Sequence, residues 1–425
     1  MMDDGKSRFW RNFRKLAGAN VAALVIMVAL APVLGWIYPP EAFGYLAYFM
    51  FAFQMLTSVC IFRFDWLMPN AKSTTEELGL MALGVIALTV ISIVATLVFL
   101  FPPPLVAQWE GYVELGRLLM LVPLAVFGMG LRLLLTARFI RSGDLGPVSL
   151  VKITETLGNA AASIALGLAG FLVAGLVWAR VIASWVGVLN LLKRAPIGRD
   201  QARRLRQSRL LHILRRHGWS AARSTLVSFI NTLSTNAAIL VLSSVAGAAE
   251  LGLFFMATRL ISTPLQLGAQ ALSQSFWSRS AELARSKFFV EMRREYLSLL
   301  FRLFVTGLVF VVVLLSVGLI IEDFFPPRWS GLGATFMAFA PMTLGIVTIG
   351  STNHLIVLNK PQLQLIADMT RLGLMTVSVL MLAQAEAPFW SLVLAVSLAS
   401  LCGHAVLFGM HLLSYRQAIF KGRLR

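Results

Sequence analysis

The chain alternates long apolar stretches with short polar stretches along almost its whole length. Most of the apolar stretches contain 20 or more residues, which is enough for a helix to cross a hydrocarbon core of about 30 Å. The pattern therefore predicts an all-α polytopic membrane protein with twelve transmembrane helices. These predicted spans, one to twelve, are 16–37, 43–62, 78–101, 112–136, 148–167, 169–192, 219–243, 251–274, 298–321, 333–357, 363–384 and 388–413.

The charges of the loops support the same count. When alternate loops are assigned to opposite sides, 28 of the 37 Lys and Arg residues fall on the side that holds both termini. Only Arg328 falls on the other side. Cytoplasmic loops retain Lys and Arg, so both termini are predicted to be cytoplasmic. One missed or extra helix would destroy this division.

Composition and loop length exclude several classes of protein. A soluble domain is excluded by 58% hydrophobic and 13% charged residues. The net charge of +18 favours anionic lipid over nucleic acid as a partner, because the basic residues flank the spans. The two cysteines and five histidines lack metal-ligand spacing, and no G-x-x-x-x-G-K-[ST] loop is present. External loops of about ten residues leave no room for an enzymatic domain, so no metal, cofactor or catalytic residue is predicted.

A basic segment divides the chain near its middle. Residues 193–217 hold nine basic residues against Asp200 alone, which favours a linker lying on the anionic inner leaflet. We predict an N-terminal six-helix lobe at 1–200, this linker at 193–217 and a C-terminal six-helix lobe at 218–425. An offset of 208 residues aligns Gly44 with Gly252 at equivalent places in the two halves. Parallel repeats of this kind commonly enclose a substrate path, so we expect a central cavity between the lobes.

Two arginines lie deep inside predicted spans. Arg180 is at the centre of span six, and Arg259 lies near the middle of span eight. A central arginine costs at least about 2.5–3.5 kcal/mol to insert, so it normally faces the bundle interior or a watery cavity. No acid lies near either arginine in its own span, which predicts an uncompensated charge that binds phosphate. The alternative is an interhelical pair with an acid such as Glu155 or Asp368.

Two spans carry a base and an acid at i, i+3, a spacing that permits an ion pair along one helix face. These are Lys152 with Glu155 in span five and Asp368 with Arg371 in span eleven. Structural pairing is the predicted role, and Glu155 and Asp368 are also candidate ion-coupling sites. Four cations near cytoplasmic span ends are predicted to snorkel, and four prolines to kink their spans. The cations are Arg132, Lys152, Arg223 and Arg302, and the prolines are Pro32, Pro123, Pro264 and Pro341.

Short sequence matches in both halves carry a resemblance to a known family. They are Phe43-Gly44-Tyr45, Arg63-Phe64-Asp65 with Leu67 and Pro69, Leu251-Gly252-Leu253, Arg259-Leu260, Pro264-Leu265, Gln274-Ser275-Phe276 and Ala281-Glu282-Leu283. In these residues and in its topology, the chain resembles the Wzx-type O-antigen and exopolysaccharide flippases. These belong to the multidrug/oligosaccharidyl-lipid/polysaccharide exporter superfamily.

The resemblance implies two six-helix lobes around a central cavity. It also implies alternating access that flips undecaprenyl-diphosphate-linked oligosaccharide across the bacterial inner membrane for lipopolysaccharide or exopolysaccharide biosynthesis. Related lipid II flippases carry an arginine in a similar Arg-Leu…Pro setting, so Arg259 is the first candidate for binding the diphosphate. Arg180 is the second candidate, on physical grounds alone. Candidates for recruiting the anionic headgroup at the cytoplasmic mouth are Arg14, Lys15, Arg63 and Arg223.

Other functions remain as alternatives to this interpretation. A lipid II flippase and a multidrug or cation antiporter belong to the same superfamily. The antiporter is disfavoured because spans one to three contain no acid. A membrane polysaccharide polymerase or glycosyltransferase is disfavoured by the short external loops. Besides the lipid-linked substrate, the expected partners are anionic lipids and other polysaccharide assembly proteins.

Overall fold

Long helices make up nearly all of the regular structure. The computed structural model describes residues 2–142, 144, 146–194, 207–262, 265, 288–348 and 362–423. Within these ranges every regular element is an α-helix or a short 3-10 helix, which confirms the predicted all-α class. The α-helices are α1 Met2–Ile37, α2 Pro40–Val59, α3 Phe64–Leu67, α4 Thr74–Leu100, α5 Pro104–Ala107, α6 Glu110–Leu115, α7 Leu121–Ser142, α8 Gly146–Leu168, α9 Leu172–Arg194, α10 Gln207–Ser243, α11 248–262, α12 Phe289–Ile320, α13 Leu332–Phe339, α14 Met342–Thr348, α15 Gln362–Gln384 and α16 Phe389–Arg423.

Eight helical segments in the described residues are long and apolar enough to cross a membrane. They are Pro40–Val59, Thr74–Leu100, Glu110–Ser142, Leu172–Arg194, Leu210–Ser243, Val290–Phe324, Leu363–Gln384 and Phe389–Gln417. Part of α1, Val21–Ile37, is a shorter apolar helix. Described helix also overlaps every one of the twelve predicted spans, but the count of twelve stays a prediction. The chain is a multi-pass membrane protein.

The four prolines that were predicted to kink their spans occupy different places in the structure. Pro32 lies inside α1, as predicted for a span interior. Pro123 is the third residue of α7, where a proline costs little because its missing N–H has no partner in the first turn. Its predicted kink is therefore wrong, and the break in span four instead falls at Gly116, where φ is +49° between α6 and a 3-10 turn. Pro341 separates α13 from α14, and Pro264 lies outside the described residues.

One compact unit comprises Met1–Tyr38 and Tyr45–Leu233. Its core is formed where α8 packs against α9 and α1, and where α7 packs against α9 and α4. Tyr38 is fully buried and donates its hydroxyl to the Ser163 carbonyl oxygen at 2.6 Å, which ties the end of α1 to α8. Helix α4 begins with Ser73 as its N-cap, whose side chain accepts from the Glu76 amide at 3.1 Å. Side-chain caps of this kind fix where a helix begins.

The other compact unit comprises Pro39–Gly44 and Ser234–Arg425. In it α15 packs against α16, and α12 packs against α13, α14 and α16. The predicted external loop 322–332 is folded rather than irregular. Glu322 accepts from the amides of Gly331 and Gly333 at 3.0 and 2.8 Å, at the N-terminus of α13, where a negative charge is favourable. Trp329 is buried beside Phe43, with ring centroids 5.4 Å apart.

The division between the units falls inside α10, between Leu233 and Ser234, and not in the basic segment. The six-plus-six lobe boundaries and the predicted central cavity stay predictions. Of the basic linker, the structure describes Lys193 and Arg194 at the end of α9 and 207–217 at the start of α10. Residues 195–206 lie outside the described residues, as do Gln274-Ser275-Phe276 and Ala281-Glu282-Leu283.

A charged cluster in the first unit as the candidate functional site

Three charged side chains meet near the middle of neighbouring helices in the first unit. Arg132 is the twelfth of the 22 residues of α7, Glu155 the tenth of 23 in α8 and Arg180 the ninth of 23 in α9. Glu155 Oε2 lies 3.4 Å from Arg132 Nε, and Glu155 Oε1 lies 3.4 Å from Arg180 Nη1. The three side chains are 13–21% exposed, so the network is largely but not completely buried. Charges at such depth in apolar helices commonly mark a substrate or ion path.

Specific neighbours place the two arginines. A Cβ atom at Gly187 would lie 2.8 Å from Arg132 Cδ, so glycine at this position leaves the space that Arg132 fills. Arg132 Nη2 also lies 2.9 Å from Met129 Sδ. Arg180 Cζ lies 4.8 Å from the ring centroid of Phe53 in α2, a distance at which the aromatic face attracts a cation. These contacts fix both side chains and leave part of each guanidinium uncommitted.

The cluster holds more positive than negative charge. Lys152 lies one turn before Glu155 and within electrostatic range of both Glu155 and Arg132. Two arginines therefore share a single carboxylate, with Lys152 close by. Arg132 Nε faces Glu155 at 3.4 Å without a hydrogen bond, and the buried Arg180 Nε has no hydrogen-bond partner in the part of the chain that the structure describes. Buried charges are stable when they are paired and hydrogen-bonded, so the cluster has capacity for a further anion.

The structure corrects two expectations about these arginines. Arg180 is not uncompensated, because Glu155 of the adjacent helix pairs with it, as the interhelical alternative had it. Arg132 is not a snorkelling residue at a helix end but a mid-helix partner of the same carboxylate. Whether Arg180 binds a diphosphate stays a prediction.

A second polar cluster lies in the second unit and is balanced in charge. Asp368 Oδ1 lies 3.5 Å from Arg371 Nη2, which confirms the predicted i, i+3 pair on α15. Ser234 of α10 contacts both residues: its hydroxyl donates to Asp368 Oδ1 at 3.1 Å and accepts from Arg371 Nη2. Gly403 of α16 packs directly on the Arg371 side chain, which is 9% exposed. One acid neutralises one base here, so this cluster has no surplus charge.

Arg63 occupies a strained elbow between α2 and α3. Phe62 and Arg63 have φ angles of 49° and 50°, a left-handed conformation that is costly for residues with side chains. Arg63 Nε donates to Ser228 Oγ of α10 at 2.9 Å, and its Cζ lies 4.7 Å from the Trp66 ring centroid. Asp65 Oδ2 is 3.9 Å from Arg63 Nη1. The guanidinium thus links this elbow to α10.

The other predicted binding residues are spread over the chain. Arg259 is half-buried on α11, and Arg223 is exposed on α10. Arg14 and Lys15 belong to α1, but their side chains lie outside the described part of the chain. Of the predicted diphosphate-binding arginines, Arg180 is the one that the described residues join to a predicted ion-coupling acid, Glu155.

The sequence itself matches a known family. A family model described as polysaccharide biosynthesis protein matches residues 33–301. The chain belongs to the polysaccharide biosynthesis protein family. A search of curated proteins found no match.

Solved structures share the fold of this polysaccharide biosynthesis protein at low sequence identity. An inward-facing multidrug resistance MATE family transporter of the MOP superfamily has a TM-score of 0.74 and 13% identity, over 95% of this chain and 98% of that one. The lipid II flippase MurJ in an inward closed conformation has a TM-score of 0.71 and 12% identity, over 96% and 90%. A MOP superfamily transporter from Pyrococcus furiosus has a TM-score of 0.59 and 15% identity, over 96% and 93%. Such identities establish the transporter-type fold alone.

Sequence reasoning missed a further buried acid in this family member. Glu77, near the start of α4, is 6% exposed and contacts Arg138 and Arg141 of α7. Adjacent Glu76 accepts from the Lys72 amide at 2.7 Å and lies 2.8 Å from His217 of α10. The N-cap pattern at Ser73 could have shown that α4 begins before span three and takes in both acids. In the described residues, no group of three or more His, Cys, Asp or Glu could hold a metal ion.

Proposed function

We propose that this protein is a flippase that moves polyprenyl-diphosphate-linked oligosaccharide from the cytoplasmic to the outer face of the bacterial inner membrane. One observation carries the proposal. It is the surplus of positive charge around Glu155, where α8 packs against two membrane-spanning helices, α7 and α9, of a polysaccharide biosynthesis protein. In a lipid-linked sugar the diphosphate is the strongly anionic part, so it is the group that such a cluster suits. The undecaprenyl carrier is inferred from the family resemblance.

The arginines offset the main cost of moving the headgroup. A charged group that leaves water for a low-dielectric region loses several kcal/mol of hydration even after relaxation. Guanidinium groups bind phosphate oxygens through two parallel hydrogen bonds, which adds both strength and direction. Arg180 pairs with Glu155 through Nη1 and keeps a buried Nε for this purpose, and Arg132 would have to exchange Glu155 for the phosphate at its Nε. The sugar would occupy a hydrated cavity while the polyprenyl tail stays in lipid.

Further cations have supporting roles in the proposal. Arg259 is a second contact for the diphosphate, assigned through its Arg-Leu…Pro setting. Arg14, Lys15, Arg63 and Arg223 recruit the headgroup at the cytoplasmic mouth, and the exposure of Arg223 suits that role best. Arg63 is held by Ser228, so its contribution requires that contact to open.

Transport itself breaks no covalent bond. The two lobes alternate between states that open to the cytoplasm and to the outside, with both termini cytoplasmic. Polysaccharide assembly proteins would receive the flipped substrate on the outer face. The proposed ion-coupling acid is Glu155, because it lies at the proposed diphosphate site, whereas Asp368 forms a separate pair with Arg371 and Ser234.

A complementation experiment tests this function. In a strain that lacks the gene, lipid-linked oligosaccharide on the cytoplasmic face and polysaccharide at the cell surface are measured together. The strain is then complemented with wild type, Arg132→Ala, Arg180→Ala, Arg259→Ala and the control Arg302→Ala. Arg302 is exposed on α12 and lies outside the cluster. Wild type and the control should restore export, whereas the other three variants should leave the intermediate inside.

Other outcomes would change the conclusion in distinct ways. If all variants restore export equally, the protein is a flippase but the site assignment fails. If the deletion changes neither pool, the substrate is wrong. Loss of cell-wall precursor export in the deletion strain would then favour a lipid II flippase, and increased drug sensitivity would favour an antiporter.

A further inference from the structure

Glu155 occupies the position that an anionic ligand of the cluster would need. Its two carboxylate oxygens lie between the guanidinium groups of α7 and α9, one oxygen towards each. Carboxylate and phosphate oxygens are the same kind of acceptor for arginine, and both suit its planar fork. A diphosphate that binds Arg132 and Arg180 therefore competes directly with Glu155.

The existing pairing is loose. Both nitrogen–oxygen distances are 3.4 Å, whereas strong charge-assisted hydrogen bonds are about 2.7–2.9 Å long. The two buried Nε atoms remain without hydrogen-bond partners among the described residues. Glu155 thus compensates the charge of the arginines without saturating their donors. A ligand with more oxygens would satisfy them better.

We infer that Glu155 is an exchangeable counter-ion, which the substrate diphosphate displaces on binding and which displaces the diphosphate on release. This inference rests on the proposed function, and it adds an explanation of how the diphosphate leaves the site. Without a competing carboxylate, an excess of buried positive charge would hold a diphosphate too firmly to let it leave.

Among the described residues, three charged groups lie near Glu155. They are Arg132 from α7, Arg180 from α9 and Lys152 from its own helix. Helix α1 also packs on α8, and its stretch 21–37 contains no charged residue. The two arginines are therefore the groups for which Glu155 and a diphosphate would compete.

Binding of inorganic pyrophosphate to the full chain in lipid nanodiscs tests the inference. Affinity is measured by calorimetry and by the shift in unfolding temperature, at one near-neutral pH for all variants. Glu155→Gln should bind pyrophosphate about tenfold more tightly than wild type, because the charged carboxylate that competes for the arginines is removed. The same variant should transport more slowly, because release is hindered.

Two further variants complete the test. Asp368→Asn removes an acid from the balanced pair on α15 and should leave pyrophosphate affinity unchanged. If Glu155→Gln folds poorly, Glu155→Asp provides the test, since a shorter carboxylate competes less well for the arginines and should give intermediate affinity.

The possible failures can be told apart. Equal or weaker pyrophosphate binding by Glu155→Gln, with wild-type binding intact and abolished by Arg180→Ala, overturns the counter-ion inference and leaves the proposed site standing. Wild-type binding that is unaffected by Arg180→Ala overturns both, because the cluster is then not the diphosphate site.

Discussion

Replacing Gly44 by alanine should destabilise the protein, because two helix backbones touch at this residue. A Cβ atom at Gly44 would lie 1.9 Å from the carbonyl oxygen of Ala248, and a Cβ atom at Gly252 would lie 1.9 Å from that of Pro40. All four residues belong to the second unit. Real Cβ contacts essentially never fall below 3.0 Å, so α2 and α11 must separate by more than 1 Å. Both obstructing atoms are backbone, and no side chain can rotate away.

The expected cost is that of overpacking a tight contact, about 1–3 kcal/mol for either single substitution. The unfolding temperature of detergent-solubilised protein should fall by about 5 °C, since 1 kcal/mol corresponds to about 2–4 °C in a unit of this size. The double variant Gly44→Ala/Gly252→Ala should cost less than the sum, because one separation makes room for both methyl groups. Gly373→Ala on α15 is the matched control.

Nothing lies within 4 Å of a Cβ atom at Gly373, so helix propensity should make Gly373→Ala neutral or stabilising by about 0.5–1 kcal/mol. If Gly44→Ala is as stable as Gly373→Ala, the close approach of α2 and α11 is wrong. Strict additivity in the double variant would mean that the two glycines do not share one crossing.

Three more substitutions test other contacts. Glu77→Gln should lower the free energy of unfolding by about 2 kcal/mol, because it leaves two half-buried arginines without their acid, and chemical denaturation would measure this. Gly187→Leu should displace Arg132 and lower pyrophosphate affinity with little loss of helix content by circular dichroism; unchanged affinity would contradict the role of Arg132. Burial raises the pKa of Asp65 above its ordinary value, and Arg63 partly offsets this. The folded state therefore binds the proton more tightly, and stability should fall as the pH rises through the interval between the unfolded and folded pKa values of Asp65. Asp65→Asn should abolish that part of the pH dependence in thermal unfolding, and an identical pH profile would refute it.

The sequence predicts contacts along one helix better than it predicts contacts between helices. Asp368 and Arg371 pair as predicted because an i, i+3 spacing fixes their geometry within α15. For Glu155 the spacing pointed to Lys152, the pair with Arg180 was only one of two open alternatives, and Arg132 of α7 was not foreseen as a partner. Apolar periodicity shows that helices are buried without showing which helices are neighbours. The surplus charge of the site depends on those neighbours, so only the structure reveals it.

The internal repeat shows the same limit. Aligning Gly44 with Gly252 identified equivalent positions from a few letters. In the structure, a Cβ atom at Gly44 would lie 1.9 Å from the Ala248 carbonyl oxygen, and a Cβ atom at Gly252 would lie 1.9 Å from the Pro40 carbonyl oxygen. Pro40 and Ala248 are related by the same offset as the two glycines, as a two-fold-related crossing requires. The sequence alone could not show this close approach of two backbones, because a glycine can be required by many different kinds of packing.

The two polar clusters differ in charge, and this difference supports placing the proposed anion site in the first unit. Helix α8 carries Lys152 before Glu155, and α15 carries Asp368 before Arg371, both at i, i+3. In α15 the acid neutralises the base along one helix, and Ser234 completes the pair. In α8 the acid is instead approached by arginines of α7 and α9. The same spacing along one helix therefore gives a balanced pair in one unit and, in the other, the surplus positive charge on which the proposed diphosphate site rests.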